Sequence, residues 1–182
     1  KFAARGYSLY LVGGSVRDAL LGRLGNDLDF TTPARPEVVK EILDEWAETV
    51  WDTGIDFGTV SAAYKGQQIE ITTFRSDSYD GQSRNPEVVY GDTLEGDLVR
   101  RDFKANAMAI ELLADASFKF HDPLHGLQDI ADRVLDTPDK PEISFHDDPL
   151  RMLRAARFAS QLEFRVADRV VEAMRDMAGE IQ

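Results

Sequence analysis

Two acids one residue apart, Asp27 and Asp29, stand inside the run "GNDLDFTT" at residues 25–32. In an extended strand, residues i and i+2 leave the same face, so the two carboxylates would repel unless a cation lay between them. Magnesium suits such a pair: it is a hard cation, held by one or two carboxylates together with substrate phosphates. Taken alone, the octapeptide reads more readily as a turn with two solvated acids. A third acid, Glu70 in "QQIEITTF", stands between Ile69 and Ile71 and by alternation faces away from their apolar side, as does Thr72. A carboxylate beside a D-x-D pair is what two-metal phosphoryl transfer uses, one ion activating a hydroxyl and the other neutralising a triphosphate. An exposed strand glutamate is the plain alternative.

Gly13-Gly14 between a strand-like run and a helix-like one lets backbone amides approach a phosphate, and Arg17 one turn on can add a charge-assisted bond. The turn is neither a Walker loop nor a G-x-G-x-x-G fingerprint, and a plain tight turn would read the same.

The segment "DDPLRMLRAARF", residues 147–158, puts Asp148 and Arg151 at i and i+3, with Arg154 and Arg157 continuing in steps of three. A salt-bridged surface helix is the ordinary reading. An Asp beside an Arg also has a specific use, because the carboxylate accepts from an exocyclic amine while the guanidinium donates to the adjacent ring nitrogen. Cytosine and adenine present that pattern, whereas uracil and guanine present a carbonyl and a ring N–H. Refusal carries the selectivity, since a polar site left unpaired costs more than a good bond gains.

These residues need elements to hold them. "SLYLV" (8–12) reads as a strand, "SVRDALLG" (15–22) as a helix ending near Gly22, and "DLDFTT" as a second strand. "RPEVVKEILDEWAE" carries Val38, Val39, Ile42, Leu43 and Trp46 on one face of an amphipathic helix. "ETVWDT", "GTVSAAY" and "QIEITTF" follow as strands, the last two joined at Lys65-Gly66 as a hairpin. Residues 75–96 are too polar and too long for an ordinary turn and read as a mobile functional loop. A helix over "LEGDLVRRDFKANA" is expected next, then strands at "MAIELL" and "SFKFHD". From Pro141 the pattern is wholly helical, in "PEISFHDDPLRMLRAARFASQL" and "ADRVVEAMRDMAGE", which sets the expected domain boundary at 139/140. There is no internal repeat.

The 182 residues suffice for one sizeable domain or a domain and part of another, and 43% apolar content is that of a globular protein. A formal charge of −12 argues against a basic nucleic-acid-binding module, so phosphate contacts beyond a few would come from elsewhere. With no cysteine there are no disulfides, thiolate catalysis or Cys-ligated zinc, which suits a reducing cytoplasm. No run of about 18 apolar residues spans a membrane. The start at Lys1 without methionine and the end in helix-like sequence read as boundaries inside a longer protein.

In this order the motifs "LVGGSVRD", "DLDFTT", "VRRDFKANAMA", "DPLHGLQDI" and "DDPLRMLRAARF" resemble those of the class II tRNA nucleotidyltransferases, the CCA-adding enzymes, and of the related bacterial poly(A) polymerases. They cover nearly the whole chain. The resemblance implies a DNA polymerase β-like α/β nucleotidyltransferase head with a mixed sheet over 1–139, then the first helices of an all-α, nucleotide-selecting neck over 140–182. Asp27 and Asp29 would be the catalytic metal ligands, with Glu70 as third carboxylate and two Mg²⁺ as cofactor. Gly13, Gly14 and Arg17 would hold the triphosphate, Arg101 the nucleotide and Asp102 the ribose. Asp148 and Arg151 would be the amino-acid template for CTP and then ATP, with Arg154 and Arg157 as further nucleotide contacts.

The partner implied is a tRNA 3′ end, held mostly by C-terminal helices beyond this chain, in the cytoplasm. The loop at 75–96 matches the region that assists the change from C to A addition. Poly(A) polymerase and partial C- or A-adding enzymes share these motifs and stay open as alternatives. The chain departs from the pattern at Asp147, where Glu is usual, and at Lys104, where Thr is usual and where a lysine could add a phosphate contact. His121-Asp122 and His146-Asp147 suggest an HD phosphohydrolase, but three histidines are barely enough for such a metal site. A non-catalytic RNA-binding module is the remaining alternative, and intact acids and template residues speak against it.

Overall fold

The computed structural model describes residues 1–76 and 88–181, and the central part of the expected loop lies outside the described residues. In chain order the elements are β1 (Tyr10–Val12), α1 (Gly14–Leu20), β2 (Asp27–Thr32), α2 (Pro36–Asp44), β3 (Thr49–Trp51), β4 (Thr59–Tyr64), β5 (Gln67–Thr73), β6 (Arg75–Ser76), β7 (Val89–Tyr90), α3 (Leu94–Val99), β8 (Ala109–Leu112), β9 (Phe118–His121), α4 (Gly126–Ala131), β10 (Val134–Leu135), α5 (Pro141–Asp147), α6 (Leu150–Leu162), β11 (Arg165–Val166) and α7 (Asp168–Met177). They form two compact units: residues 1–98 with 109–121, and residues 99–108 with 122–182. This division does not fall at 139/140, because residues 99–108 and 122–139 pack with the helices that follow them.

The first unit is built on a seven-stranded sheet in the order β3-β4-β5-β2-β1-β8-β9. Among the described strands of this sheet only β2 and β5 run parallel. α2 begins with Pro36, whose fixed φ and missing N–H suit a first turn. It lays Val39, Ile42 and Leu43, spaced for one helical face, over Val60, Ala62, Ile69 and Ile71. Each such side chain taken out of water contributes about 1.5–3 kcal/mol, so this packing fixes which sheet face is apolar and which is left for polar groups. The two ends of the expected loop meet as β6 and β7, with Arg75 opposite Tyr90.

Among the described residues the second unit shows two small cores. Phe103, Leu135, Ala155, Phe158 and Phe164 form one, with the Phe103 and Phe158 rings edge to face at 6.0 Å. Phe145, Met152, Val170 and Ala173 form the other. Gly126 lets α4 approach closely: a Cβ there would lie 2.1 Å from the Lys104 carbonyl oxygen.

Three expectations change. The helix over 94–107 stops at Val99, and Phe103 is extended (φ −136°, ψ 149°) before a 3₁₀ turn at Lys104–Asn106. The Asp102 carboxylate captures the Phe103 N–H and the Asn106 amide, a local competition that helices lose. The helix over 141–162 breaks at Asp148-Pro149, because Pro149 has no N–H and drives its predecessor out of the helical region (φ −148°, ψ 97° at Asp148). The region after 140 is not wholly helical either. Glu163 turns left-handed (φ 56°) and Arg165–Val166 pairs in parallel with β10.

Candidate functional site

In the first unit, β2 alternates as the sequence predicts: Asp27 and Asp29 are exposed, Leu28 is half-buried, and Phe30 is half-buried against the apolar core. The parallel register sets Asp29 directly beside Glu70, which is also exposed. Paired residues on neighbouring strands share a face about 4.8 Å apart, so the sheet brings all three acids to one face, from segments 41 residues apart.

The backbone under the acids is pinned. The Ser15 hydroxyl accepts the Asp29 N–H at 3.0 Å and donates to the Asp27 carbonyl at 3.4 Å. Buried Thr31 and Thr32 tie the far end of β2, their hydroxyls donating to the carbonyls of Thr72 (3.0 Å) and Ser8 (2.7 Å). Ser15 was not singled out by sequence, although a serine in the first turn after a diglycine is a recognisable signal of backbone bonding.

The diglycine has two distinct reasons. Gly13 sits at φ 67°, ψ −139°, which only glycine takes without strain. Gly14 leaves room for the Arg17 guanidinium, whose Nη2 would lie 3.2 Å from a Cβ. Arg17 itself is 8% exposed and bonds Asp18 at 2.9 Å.

Among the described residues no group of three His, Cys, Asp or Glu side chains encloses a metal position. The donor set is instead a carboxylate pair with a third acid alongside. That fits Mg²⁺, which keeps waters and substrate phosphates around one or two carboxylates and does not need a closed protein cage.

The second unit holds the other predicted residues. Asp148 lies in the joint between α5 and α6, so it and Arg151 are not on one helix. Asp148 Oδ1 accepts the Leu150 N–H at 3.0 Å. Arg151 Nη1 donates to the Ser144 hydroxyl at 2.9 Å, and Nη2 to the Arg100 carbonyl at 2.8 Å. Among the described residues Asp148 Oδ2 and the Arg151 Nε–H have no hydrogen-bond partner. Each residue thus keeps one group available to a ligand.

Asp102, 7% exposed, accepts two bonds from Arg154 on its Oδ2, from Nε (2.8 Å) and Nη2 (2.6 Å), while Oδ1 accepts from Phe103 and Asn106, so a ribose hydroxyl would share an oxygen already bonded. Arg101 is half-buried, and Arg157 is exposed with its guanidinium 4.9 Å from the Phe158 ring centre. Lys104 is not left for a phosphate: its ammonium meets Asp136 at 2.9 Å, where Arg169 also binds at 2.7 Å. Burial pushes the Asp136 carboxyl up, but those two cations outweigh it and hold it below the usual range. Buried Asp129, facing Asp136, Asp132 and Asp122 with Lys104 as the opposing charge, is pushed up to about 6.

The histidine-aspartate pairs do not assemble a phosphohydrolase centre. His121 Nε2 lies 2.8 Å from Glu111, Asp122 caps the Gly126 and Leu127 amides, and His146 is an exposed residue of α5.

The mixed sheet with an exposed acid pair on β2 defines a nucleotidyltransferase head. Solved structures share it. The Bacillus stearothermophilus CCA-adding enzyme in complex with CTP aligns over 100% of this chain and 42% of that one, at 37% identity and a TM-score of 0.81. A tRNA nucleotidyltransferase complexed with a primer tRNA and an incoming ATP analog aligns over 98% of this chain and 48% of that one, at 31% identity and a TM-score of 0.80. The chain belongs to the family of the poly A polymerase head domain, whose model matches residues 9–136. The CCA-adding enzymes of Lactobacillus helveticus (43% identical, covering 94% of this chain and 41% of that protein) and Listeria monocytogenes (40%, covering 100% and 44%) are relatives. The chain therefore spans less than half the length of the relatives it matches. Enzymes of this family are generally metal-dependent. Among the described residues no helix is long and apolar enough to cross a membrane.

Proposed function

We propose that the protein carrying this chain is a CCA-adding tRNA nucleotidyltransferase, acting in the cytoplasm on tRNA 3′ ends with CTP and then ATP. In this reading residues 1–139 are the catalytic head and residues 140–182 the start of a nucleotide-selecting neck, with most tRNA contacts supplied by helices beyond the chain. The tRNA 3′ hydroxyl attacks the α-phosphorus in line, the new phosphodiester forms and pyrophosphate leaves. Asp27 and Asp29, with Glu70 beside them, would hold two Mg²⁺, which when bound supply hydroxyl activation and charge neutralisation. Gly13 and Gly14 give the triphosphate access to backbone amides, and Arg17 adds positive charge beside the turn. Arg101 contacts the nucleotide and Asp102 the ribose, while Arg154 and Arg157 supply further nucleotide contacts. Catalysis on this scheme is mostly positioning and electrostatics.

The observation that carries the reading is the pair of groups at the α5–α6 joint. Asp148 offers a carboxylate oxygen and Arg151 a guanidinium N–H, one acceptor and one donor, which is the complement of the cytosine and adenine edges. Repeated ATP addition to general RNA ends is a second reading, favoured by the name of the family's head domain. Full-length protein given three tRNAs, ending at the discriminator base, at C and at CC, with CTP and ATP, separates the two when the products are sequenced. Completed CCA ends from all three support the proposal. C-only products, A-only products or long A tails each replace it with the corresponding alternative.

A further inference from the structure

Ser144 has no part in the roles assigned so far, yet it bonds to both residues proposed to read the base. It sits in the last turn of α5 and is 7% exposed. Its carbonyl accepts the Asp148 N–H at 3.2 Å and a longer bond from Arg151 Nη1 at 3.4 Å, and its hydroxyl accepts the same Nη1 at 2.9 Å. The other guanidinium nitrogen, Nη2, is held by the Arg100 carbonyl at 2.8 Å. A guanidinium anchored at one nitrogen pivots about that bond, whereas anchors on both terminal nitrogens fix its plane. Base reading depends on that plane, because donors and acceptors must lie in the plane of the base edge.

The Pro149 break makes this arrangement possible. It ends α5 at Asp147, so the Asp148 N–H caps back onto Ser144 while Arg151, at the start of α6, folds its side chain across the joint to the same residue. Of the three bonds on Arg151, those to the Arg100 carbonyl and, at 3.4 Å, to the Ser144 carbonyl are to backbone and survive a side-chain substitution. The Ser144 hydroxyl is the one the sequence can tune.

We propose that Ser144 is a positioning residue that fixes the Arg151 guanidinium and thereby sets the preference for CTP and ATP over UTP and GTP. The proposal rests on the reading of Asp148 and Arg151 given above.

The test uses full-length protein and its Ser144→Ala, Ser144→Thr and Arg151→Ala variants. For each, kcat and KM are measured for all four nucleotides, with CTP and UTP compared on tRNA ending at the discriminator base and ATP and GTP on tRNA ending at CC. Thermal unfolding is followed in parallel. Loss of one charge-assisted hydrogen bond predicts that Ser144→Ala raises KM for CTP and ATP about tenfold and lowers discrimination against UTP and GTP by about the same factor. The same loss leaves kcat within about twofold. Ser144→Thr, which keeps the hydroxyl, restores most of both.

Two results overturn the proposal while leaving the base-reading pair intact. One is unchanged discrimination in Ser144→Ala when Arg151→Ala has lost it. The other is an equal fall in kcat for all four nucleotides together with a lowered unfolding temperature, the signature of a merely structural serine. Unchanged discrimination in Arg151→Ala would instead remove the reading itself, and the proposal with it.

Discussion

The acids of β2 and β5 and the charged residues around the α5–α6 joint differ in exposure and in setting. On the strands the fold pins the backbone, through Ser15 and the buried threonines, and leaves Asp27, Asp29 and Glu70 exposed on one face. At the joint the side chains themselves are bound: Arg151 at two nitrogens, Arg154 by both oxygen-facing nitrogens on a buried Asp102, and Asp102 in turn by Phe103 and Asn106. The contrast follows from the work proposed for each. A metal site of the magnesium type is completed by ligands that arrive with the substrate. Discrimination between bases needs donors and acceptors whose positions do not adapt to the wrong partner.

The largest effect should come from the exposed acids. Asp29→Ala in the full-length protein is expected to lower nucleotide incorporation at least about 1000-fold. Its unfolding temperature should shift by less than about 2 °C, because the side chain is exposed. Activity within tenfold of the parent would break the comparison on its catalytic side.

Gly126→Ala tests the bound region from beneath. With the Lys104 carbonyl 2.1 Å from the new Cβ, α4 or the 104–106 turn must move, at a cost of at least about 3 kcal/mol in denaturant unfolding. A loss under about 1 kcal/mol would mean that this segment yields easily and is not the rigid support argued for.

Asp148→Ala should cut discrimination of CTP against UTP about thirtyfold while incorporation at saturating CTP falls less than about threefold. An equal loss for all four nucleotides would remove the distinction between bond-making and base-reading residues.

Asp102→Asn keeps the shape but removes the charge facing Arg154. Because the Arg154 side chain is 43% exposed, solvent screens the pair, and a loss of about 1–2 kcal/mol in unfolding free energy is expected.

The smallest effect is a pH dependence. The Asp129 carboxyl is raised by burial to about 6 in the folded chain from an ordinary value of 3.8. Between those values the folded state holds more protons at this group than the unfolded one, so the contribution of Asp129 is fullest below about pH 4 and is lost as pH rises through about 6. Unfolding titrations should show that decline, and Asp129→Asn should flatten it.

Much of the first unit was legible in the sequence. The alternation in "DLDFTT" and "QQIEITTF" predicted which residues face out, and the spacing of Val39, Ile42 and Leu43 predicted the covering helix. The sequence predicts a helix over 94–107 because its apolar period continues past Val99, whereas Asp102 binds its own neighbours and turns the chain. The break at Asp148-Pro149 is legible from the proline alone, and it takes Asp148 off the helix that carries Arg151. Ser144 carried no signal at all, since a serine four residues before Asp148 is unremarkable until the joint brings Arg151 back over it.

The sequence by itself determined the kinds of groups available, the faces on which local periodicity puts them, and the proline that ends α5, because these depend on residues a few positions apart. Only the tertiary structure decided that Glu70 stands beside Asp29, that Arg154 across 52 residues is held by Asp102, and that one serine ties both candidate base-reading residues. Strand register and long-range ion pairs are set by the sum of many packing contacts, and no short stretch of the chain contains that sum.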